Sequence, residues 1–277
     1  MNGKIIVDSC CDMTPQLIKR LDVTTVPLTM RLGQTEYVDD STLNLPSFIA
    51  AMKACHDTVG SASPSPAVYQ EAFEHPSPSF AVTLSGQLSG SYTSAILGKK
   101  MAEENGYANI HVFDSKSASA GEVLVAVKLR ELIAKGADRL TIIEKIESFI
   151  DSMKTYFVLE RYDNLQKNGR LSKITGKIIS VLNIKLVMGA DGDGNIALFS
   201  KPRGMTQVLE KLVSLIESSG KETEGEPLVI SHCNNGMLAK QLAQRIQDKF
   251  RFGEILIVPT GGLSSLYADD KGIVMAF

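Results

Sequence analysis

The sequence predicts an α/β protein: an N-terminal three-layer α/β/α domain on a mostly parallel sheet, then a C-terminal α/β domain with a mixed sheet. Three observations predict it. Short apolar runs that close on polar turns alternate with helical patterns through about residue 155, the pattern of a parallel sheet covered on both faces. Beyond that point an Asp/Gly-rich turn inside "KLVMGADGDGNIALFSKPRG" sets two strands face to face as an antiparallel hairpin. The length, 277 residues with 44% hydrophobic and 22% charged side chains, suits two soluble domains of ordinary size. The boundary is placed to give 1–155 and 156–277. No linker rich in Gly, Ser or Pro separates them, so close packing with a binding cleft between them is expected.

"KIIV" (Lys4–Val7) ends at Asp8-Ser9 and reads as a buried parallel strand. "TPQLIKRL" starts a helix, with Thr14 as N-cap and Pro15 in the first turn. "VTTVPLTMRL" is extended, interrupted by Pro27, and hence an edge. "LPSFIAAMKAC" is helical; the Ser/Pro cluster "SASPSP" (Ser61–Pro66) is a loop, with Pro66 opening the next helix. "SFAVTL" is a strand, followed by a helix from about Ser91 to Asn105. "NIHVFDS" closes again on Asp-Ser, at Asp114-Ser115, and "SASAGEVLVAVKLRELIAKG" reads as a long amphipathic helix ending at Gly136. "RLTIIEKIESFIDSM" is another helix, "TYFVLE" a strand, and "YDNLQKNG" and "KIISVLN" are helical. After the hairpin, "MTQVLEKLVSLIESSG" and "MLAKQLAQRIQDKF" are helices, while "PLVISHC", "EILIVPTG" and "GIVMAF" are strands.

Composition narrows the function classes. A net charge of −2, with Lys and Arg dispersed, argues against nucleic acid. No apolar run approaches the roughly 20 residues that span a bilayer, and "MNGKIIVDSCCD" reads as a first strand, not a signal peptide. Cys10, Cys11, Cys55 and Cys233 form no disulfide framework, which points to a reducing cytoplasm. The vicinal pair Cys10-Cys11 reads as small core residues. His56 beside Cys55 and His232 beside Cys233 are adjacent, a poor spacing for chelation, so no metal is expected.

The informative stretch is "AVTLSGQLSGSYTSAILG". A strand's carboxyl end delivers a Ser/Gly loop to the sheet edge where α/β proteins bind ligands. The following helix presents unpaired N–H groups and a partial positive charge. Ser89 and Ser91 add hydroxyls, and Gly86 and Gly90 allow close backbone approach. That chemistry suits a carboxylate or a phosphate. The alternative is a plain N-cap. Neither the P-loop nor the dinucleotide spacing of glycines is present. "SASPSP" also precedes a helix, and its convergence with the first loop would hold one carboxylate by charge-assisted hydrogen bonds.

These segments together resemble the DegV family of bacterial fatty-acid-binding proteins. "VDSCCDMTPQL" is similar to its opening D-S-x-x-D-L segment, "SASPSP" sits where the family carries T-S-Q-P-S, and "LSGQLSGSYTSA" is similar to S-S-x-L-S-G-T-Y-x-S-A. "VFDSKSASAGEVLVA" resembles the third Asp-Ser strand, "LQKNGRLS" the L-x-K-G-G-R-I-S segment, and "KPRGMTQVLEKL" the later K-x-R before a helix. The matches run in order along the whole chain. The resemblance implies a cytoplasmic protein without metal or cofactor that binds one long-chain fatty acid, its acyl tail buried and its carboxylate at the interdomain cleft. It implies that the protein is not itself an enzyme. The acid is presented to the ATP-binding subunit of fatty acid kinase for phosphorylation to acyl phosphate and phospholipid synthesis, with transient membrane contact. Carried over, Ser61 and Ser89 hold the carboxylate, with Gly90 and Ser91 beside them. Arg170 and Arg203 stand near the mouth and face the kinase or the phosphate. Tyr267 falls where the family has a His, and Asp269-Asp270-Lys271 where it has Gly-Pro-Gly. Tyr267 still donates a hydrogen bond but carries no positive charge near neutral pH. Asp269 and Asp270 oppose an anion unless they point away. "KIISVLNIKLVMG", "LVSLI" and "ILIV" are apolar enough to line a tail compartment or an ordinary core. Two rival readings remain at this stage. One is a serine hydrolase built from Ser89, His232 and Asp114, although the G-x-S-x-G elbow is absent. The other is a small-anion or phosphate binder at the same helix start.

Overall fold

The computed structural model describes residues 3–171 and 183–277. Residues 177–182 of the expected helix "KIISVLN" lie outside the described residues, with part of the proposed tail lining. The fold is α/β, with one parallel and one mixed sheet.

β1 (Lys4–Asp8) is apolar on both faces, with Ile5, Ile6 and Val7 fully buried, as an interior strand of a parallel sheet requires. α1 (Pro15–Leu21) is capped by Thr14, whose Oγ1 accepts the Leu17 N–H at 3.2 Å. β2 (Val23–Val26) pairs with β1 at the sheet edge. The extended segment does not continue as one strand. At Pro27 the chain leaves that sheet, and β3 (Thr29–Leu32) and β4 (Thr35–Val38) form an antiparallel pair elsewhere. α2 (Leu45–Ala54) follows, and then β5 (Val59–Ala62) adds to β3, with Ser61 opposite Met30. Ser61 and Ala62 are therefore strand residues and not loop, because β3 offers a free edge to pair with. Pro66 opens α3 (Pro66–Phe73) as expected.

β6 (Ser79–Thr83), α4 (Ser91–Glu104) and β7 (Ile110–Asp114) complete a four-stranded parallel sheet in the order β2-β1-β6-β7. α5 (Ala120–Ala134) departs from the amphipathic expectation. Every residue from Ala120 to Val127 is buried. The helix is wedged between two sheets, packing on β1 and β6 on one side and on β11 (Pro227–His232) and β13 (Ile273–Ala276) on the other. α6 (Arg139–Ser152) covers its remaining face through Ile142, Ile146 and Ile150.

The second large sheet has six strands. β8 (Thr155–Val158) pairs with β13, while β9 (Val187–Ala190) and β10 (Ile196–Ser200) are the expected hairpin. α7 (Asp163–Lys167) lies between β8 and β9 in sequence. α8 (Gly204–Ser218) and α9 (Gly236–Gln247) cover the outer face, and β12 (Glu254–Pro259) closes the order β10-β9-β8-β13-β11-β12. Only the β11–β12 pair is parallel. The short helix α10 (Gly262–Ala268), absent from the sequence reading, links β12 to β13. It packs beneath the small β4-β3-β5 sheet and α2. One apolar core, centred on α5, joins Ile5, Val7 and Phe80 of the parallel sheet to Val229, Val258 and Val274 of the mixed one.

Candidate functional site

Because β1, β6 and β7 lie side by side and parallel, their carboxyl ends emerge at one edge. Each Asp-Ser pair organises the neighbouring loop. The fully buried Asp8 accepts the N–H of Cys10 at 3.1 Å and of Leu84 at 3.0 Å, and the Ser91 hydroxyl at 2.6 Å. Asp114 accepts the N–H of Gly86 at 3.2 Å and of Lys116 at 2.9 Å. These bonds shape the Ser/Gly loop of residues 84–90.

An apolar cavity of about 880 Å³, counted out to its mouth, opens at this edge and runs between the parallel sheet, α10 and the inner face of β8 and β9. Leu28, Leu84, Leu159, Leu263 and Val274 supply much of its wall. Four of its half-exposed polar lining residues gather at one end. Ser61 Oγ and Tyr267 Oη lie 2.8 Å apart. The Arg170 guanidinium sits 5.6 Å from the Tyr267 ring centre. Arg170 Nε donates to Leu88 O at 3.2 Å and Nη1 to Asn168 O at 2.6 Å, beside Ser89. Ser89 Oγ accepts the Ser91 N–H at 3.2 Å, which leaves its own proton free to donate. Ser61, Ser89, Arg170 and Tyr267 therefore meet at one mouth. Arg170 lines the cavity there instead of standing clear at the surface. Among the described residues no salt bridge pairs Arg170 with a carboxylate. A cation beside three hydroxyls at the end of an apolar cavity is chemistry for an anion.

The other residues of interest lie elsewhere. Ser91 is fully buried and does not line the cavity. Its hydroxyl donates to Asp8, so the Tyr69 hydroxyl, 2.7 Å away, donates to it. Gly90 is exposed and outside the lining, and a Cβ there would sit 3.1 Å from Ser63 Oγ, so the two hydroxyl segments approach closely at this position. Arg203 is exposed at the start of α8, its N–H donating to Gln207 Oε1 at 2.9 Å, and it does not line the cavity. Asp270 pairs with Lys53 at 3.0 Å, and Asp269 lies 3.8 Å from Arg161. Neither lines the cavity. Both positions matched to glycine have left-handed backbone, φ 55° at Asp269 and 67° at Lys271, which explains why glycine suits them.

Sequence reasoning missed several lining residues. Cys10 is buried as expected but also forms cavity wall, 3.9 Å from Ser264 Oγ. Its position just past a parallel strand's carboxyl end was the available signal. Burial, and then the neighbouring carboxyls of Glu122, Asp8 and Asp12, push its thiol well up, so it is a poor nucleophile. Behind this wall, Asp12 accepts from Ser119 and from the Gly261 N–H at 2.8 Å, and burial raises its carboxyl to about 6. Glu122, fully buried, is raised well above the usual range, first by burial and next by the Asp8 charge. Among the described residues, no hydrogen bond joins Ser89, His232 and Asp114 into a triad. Asp114 serves backbone N–H groups, His232 Nδ1 accepts the Asn235 N–H at 3.3 Å, and His232 does not line the cavity. Among the described residues no group of three His, Cys, Asp or Glu is arranged to hold a metal, and no helix is long and apolar enough to cross a membrane.

Two facing sheets around a buried helix, with an apolar cavity that ends in hydroxyls and one arginine, define a class of α/β protein built around an enclosed amphiphilic site. The chain belongs to the DegV family: the family model, described as an uncharacterised protein of the DegV family, matches residues 2–276. A DegV domain-containing protein of Streptococcus gordonii is 37% identical over 280 residues, covering 100% of this chain and 99% of the relative. Among solved structures, a DegV family protein from Ruminococcus gnavus refined with vaccenic acid has 36% identity and a TM-score of 0.94 over 99% of both chains. The Streptococcus pneumoniae Fatty Acid Kinase (Fak) B3 protein loaded with linoleic acid has 36% identity and a TM-score of 0.91, covering 100% of this chain and 99% of that one. A DegV family protein from Eubacterium eligens loaded with heptadecanoic acid has 27% identity and a TM-score of 0.92 over 99% of both chains.

Proposed function

We propose that this protein binds one long-chain fatty acid, with its carboxylate at Ser61, Ser89, Tyr267 and Arg170 and its acyl tail in the cavity. The observation that carries this reading is Arg170, without a carboxylate partner among the described residues, beside three hydroxyls at the mouth of a largely apolar cavity. The bound acids of the R. gnavus, S. pneumoniae and E. eligens relatives support it. Burying roughly ten methylenes contributes about 8 kcal/mol before ordering costs, enough for tight binding with a few polar contacts. The protein performs no chemistry on the acid. It holds it for the ATP-binding subunit of a fatty acid kinase in the cytoplasm, a role supported by likeness to the S. pneumoniae Fak B3 protein. Arg203, exposed and off the cavity, is placed to meet that partner.

Native mass spectrometry of protein taken directly from its expression host tests the binding reading. One fatty acid per chain is expected, lost on denaturation. A ligand-free protein that takes up inorganic phosphate and no fatty acid would refute the reading in favour of a phosphate site. Adding a purified fatty acid kinase ATP-binding subunit and ATP tests the second part, with acyl phosphate the expected product.

A further inference from the structure

One wall of the cavity carries a hydroxyl pair, with a proton that a plain hydrocarbon tail leaves without a partner. Thr155, Phe157 and Leu159 alternate along one side of β8 and its extension, and all three line the cavity. Beyond Leu159 the chain passes Leu165 and reaches Arg170 at the mouth. Thr155 lies about 13 Å from Leu159 at the usual strand rise. Facing it is Ser117, from the loop between β7 and α5. Both side chains are buried, and their hydroxyls lie 2.7 Å apart. Gly121 makes room for the pair, since a Cβ on that turn of α5 would strike Ser117 Oγ.

Two hydroxyls hold two protons, and the bond between them uses one. Among the described residues, no hydrogen bond takes up the second. Among the described residues one O–H in the cavity wall therefore has no acceptor, an arrangement that disfavours a featureless tail. A hydroxyl on the ligand relieves it, because it accepts the spare proton and donates its own to a free lone pair of Ser117 or Thr155. We infer that this cavity selects a long-chain acid bearing a hydroxyl on its acyl chain. The inference rests on the fatty-acid reading above and names the ligand class within it.

The experiment titrates fatty-acid-free protein with stearic acid and with hydroxystearic acids whose hydroxyl lies at successive positions along the chain. At least one hydroxystearic acid binds about fivefold more tightly than stearic acid, the worth of one net hydrogen bond. Replacing both hydroxyls, Ser117→Ala with Thr155→Val, brings that ratio to one. The ratio is taken within a single protein, so a reduced folded fraction cancels. The isosteric Thr155→Val variant alone gives the same comparison should the double variant fail to fold. Stearic acid binding as well as every hydroxylated acid, or a preference that survives in the variants, overturns the inference and leaves the fatty-acid reading standing. No binding of stearic acid or of any hydroxylated acid sinks the fatty-acid reading itself.

Discussion

Replacing Tyr267 by phenylalanine isolates one hydroxyl at the mouth. The ring remains, so the seat of the Arg170 guanidinium, 5.6 Å from its centre, is kept. In the ligand-free protein Tyr267 Oη and Ser61 Oγ satisfy each other at 2.8 Å. An arriving carboxylate exchanges that neutral bond, worth about 1 kcal/mol net, for charge-assisted bonds worth about 1.5–3 kcal/mol each. Losing one charge-assisted bond, with Ser61 still able to donate, weakens binding by about 1–2 kcal/mol, or roughly 5- to 30-fold in Kd. Isothermal titration of fatty-acid-free protein with a single acid measures it. A Kd within about twofold of the parent would refute the placement of the carboxylate at this pair. Tyr267→His is the informative companion. Histidine protonates as pH falls through about 6.5, so its affinity rises from pH 8 to pH 6 relative to the parent. A parallel pH profile in both proteins would mean that position 267 does not face the anion.

Ser89→Ala removes a carboxylate donor and also the acceptor for the Ser91 N–H; we expect binding weaker by about 1–3 kcal/mol and stability lower by about 1 kcal/mol, and a lower Tm with unchanged affinity would reduce Ser89 to a cap. Asp12 is held at about 6 by burial against an ordinary 3.8, so the folded protein takes up its proton more readily than the open chain. Its contribution to stability is full below about pH 4 and is lost as pH rises through about 6, about 3 kcal/mol in all. Asp12→Asn is expected to remove that component when urea midpoints of parent and variant are compared across the interval, and identical pH profiles would contradict it. At Asp269 the backbone has φ 55° and ψ 178°, a region that costs a non-glycine residue about 1–3 kcal/mol. Asp269→Gly relieves that strain against a glycine entropy of about 0.5–1 kcal/mol, so Tm should rise by about 2 °C, and a fall would show that the Asp269 contacts outweigh the strain.

The sequence by itself determined the local grammar of this protein. Strand and helix patterns are set by side chains a few residues apart, so "KIIV", "SFAVTL", the Thr14 cap and the Asp/Gly hairpin were legible without coordinates. So was the identity of the hydroxyl-bearing segments, because Ser and Gly at a strand-to-helix turn have few other uses. Tertiary structure decided which of those hydroxyls face the cavity. Ser89 and Ser91 are two residues apart, yet one lines the cavity while the other is buried against Asp8 and Tyr69. Ser61 became a strand residue only because β3 supplied an edge, and that pairing carries it to Tyr267 across 206 residues of chain. α5 lost its expected polar face because a second sheet packs on it. Periodicity reports whether a side chain is shielded from water, not what shields it. The partner across a cavity is fixed by how sheets and helices stack, and that arrangement is a property of the whole chain.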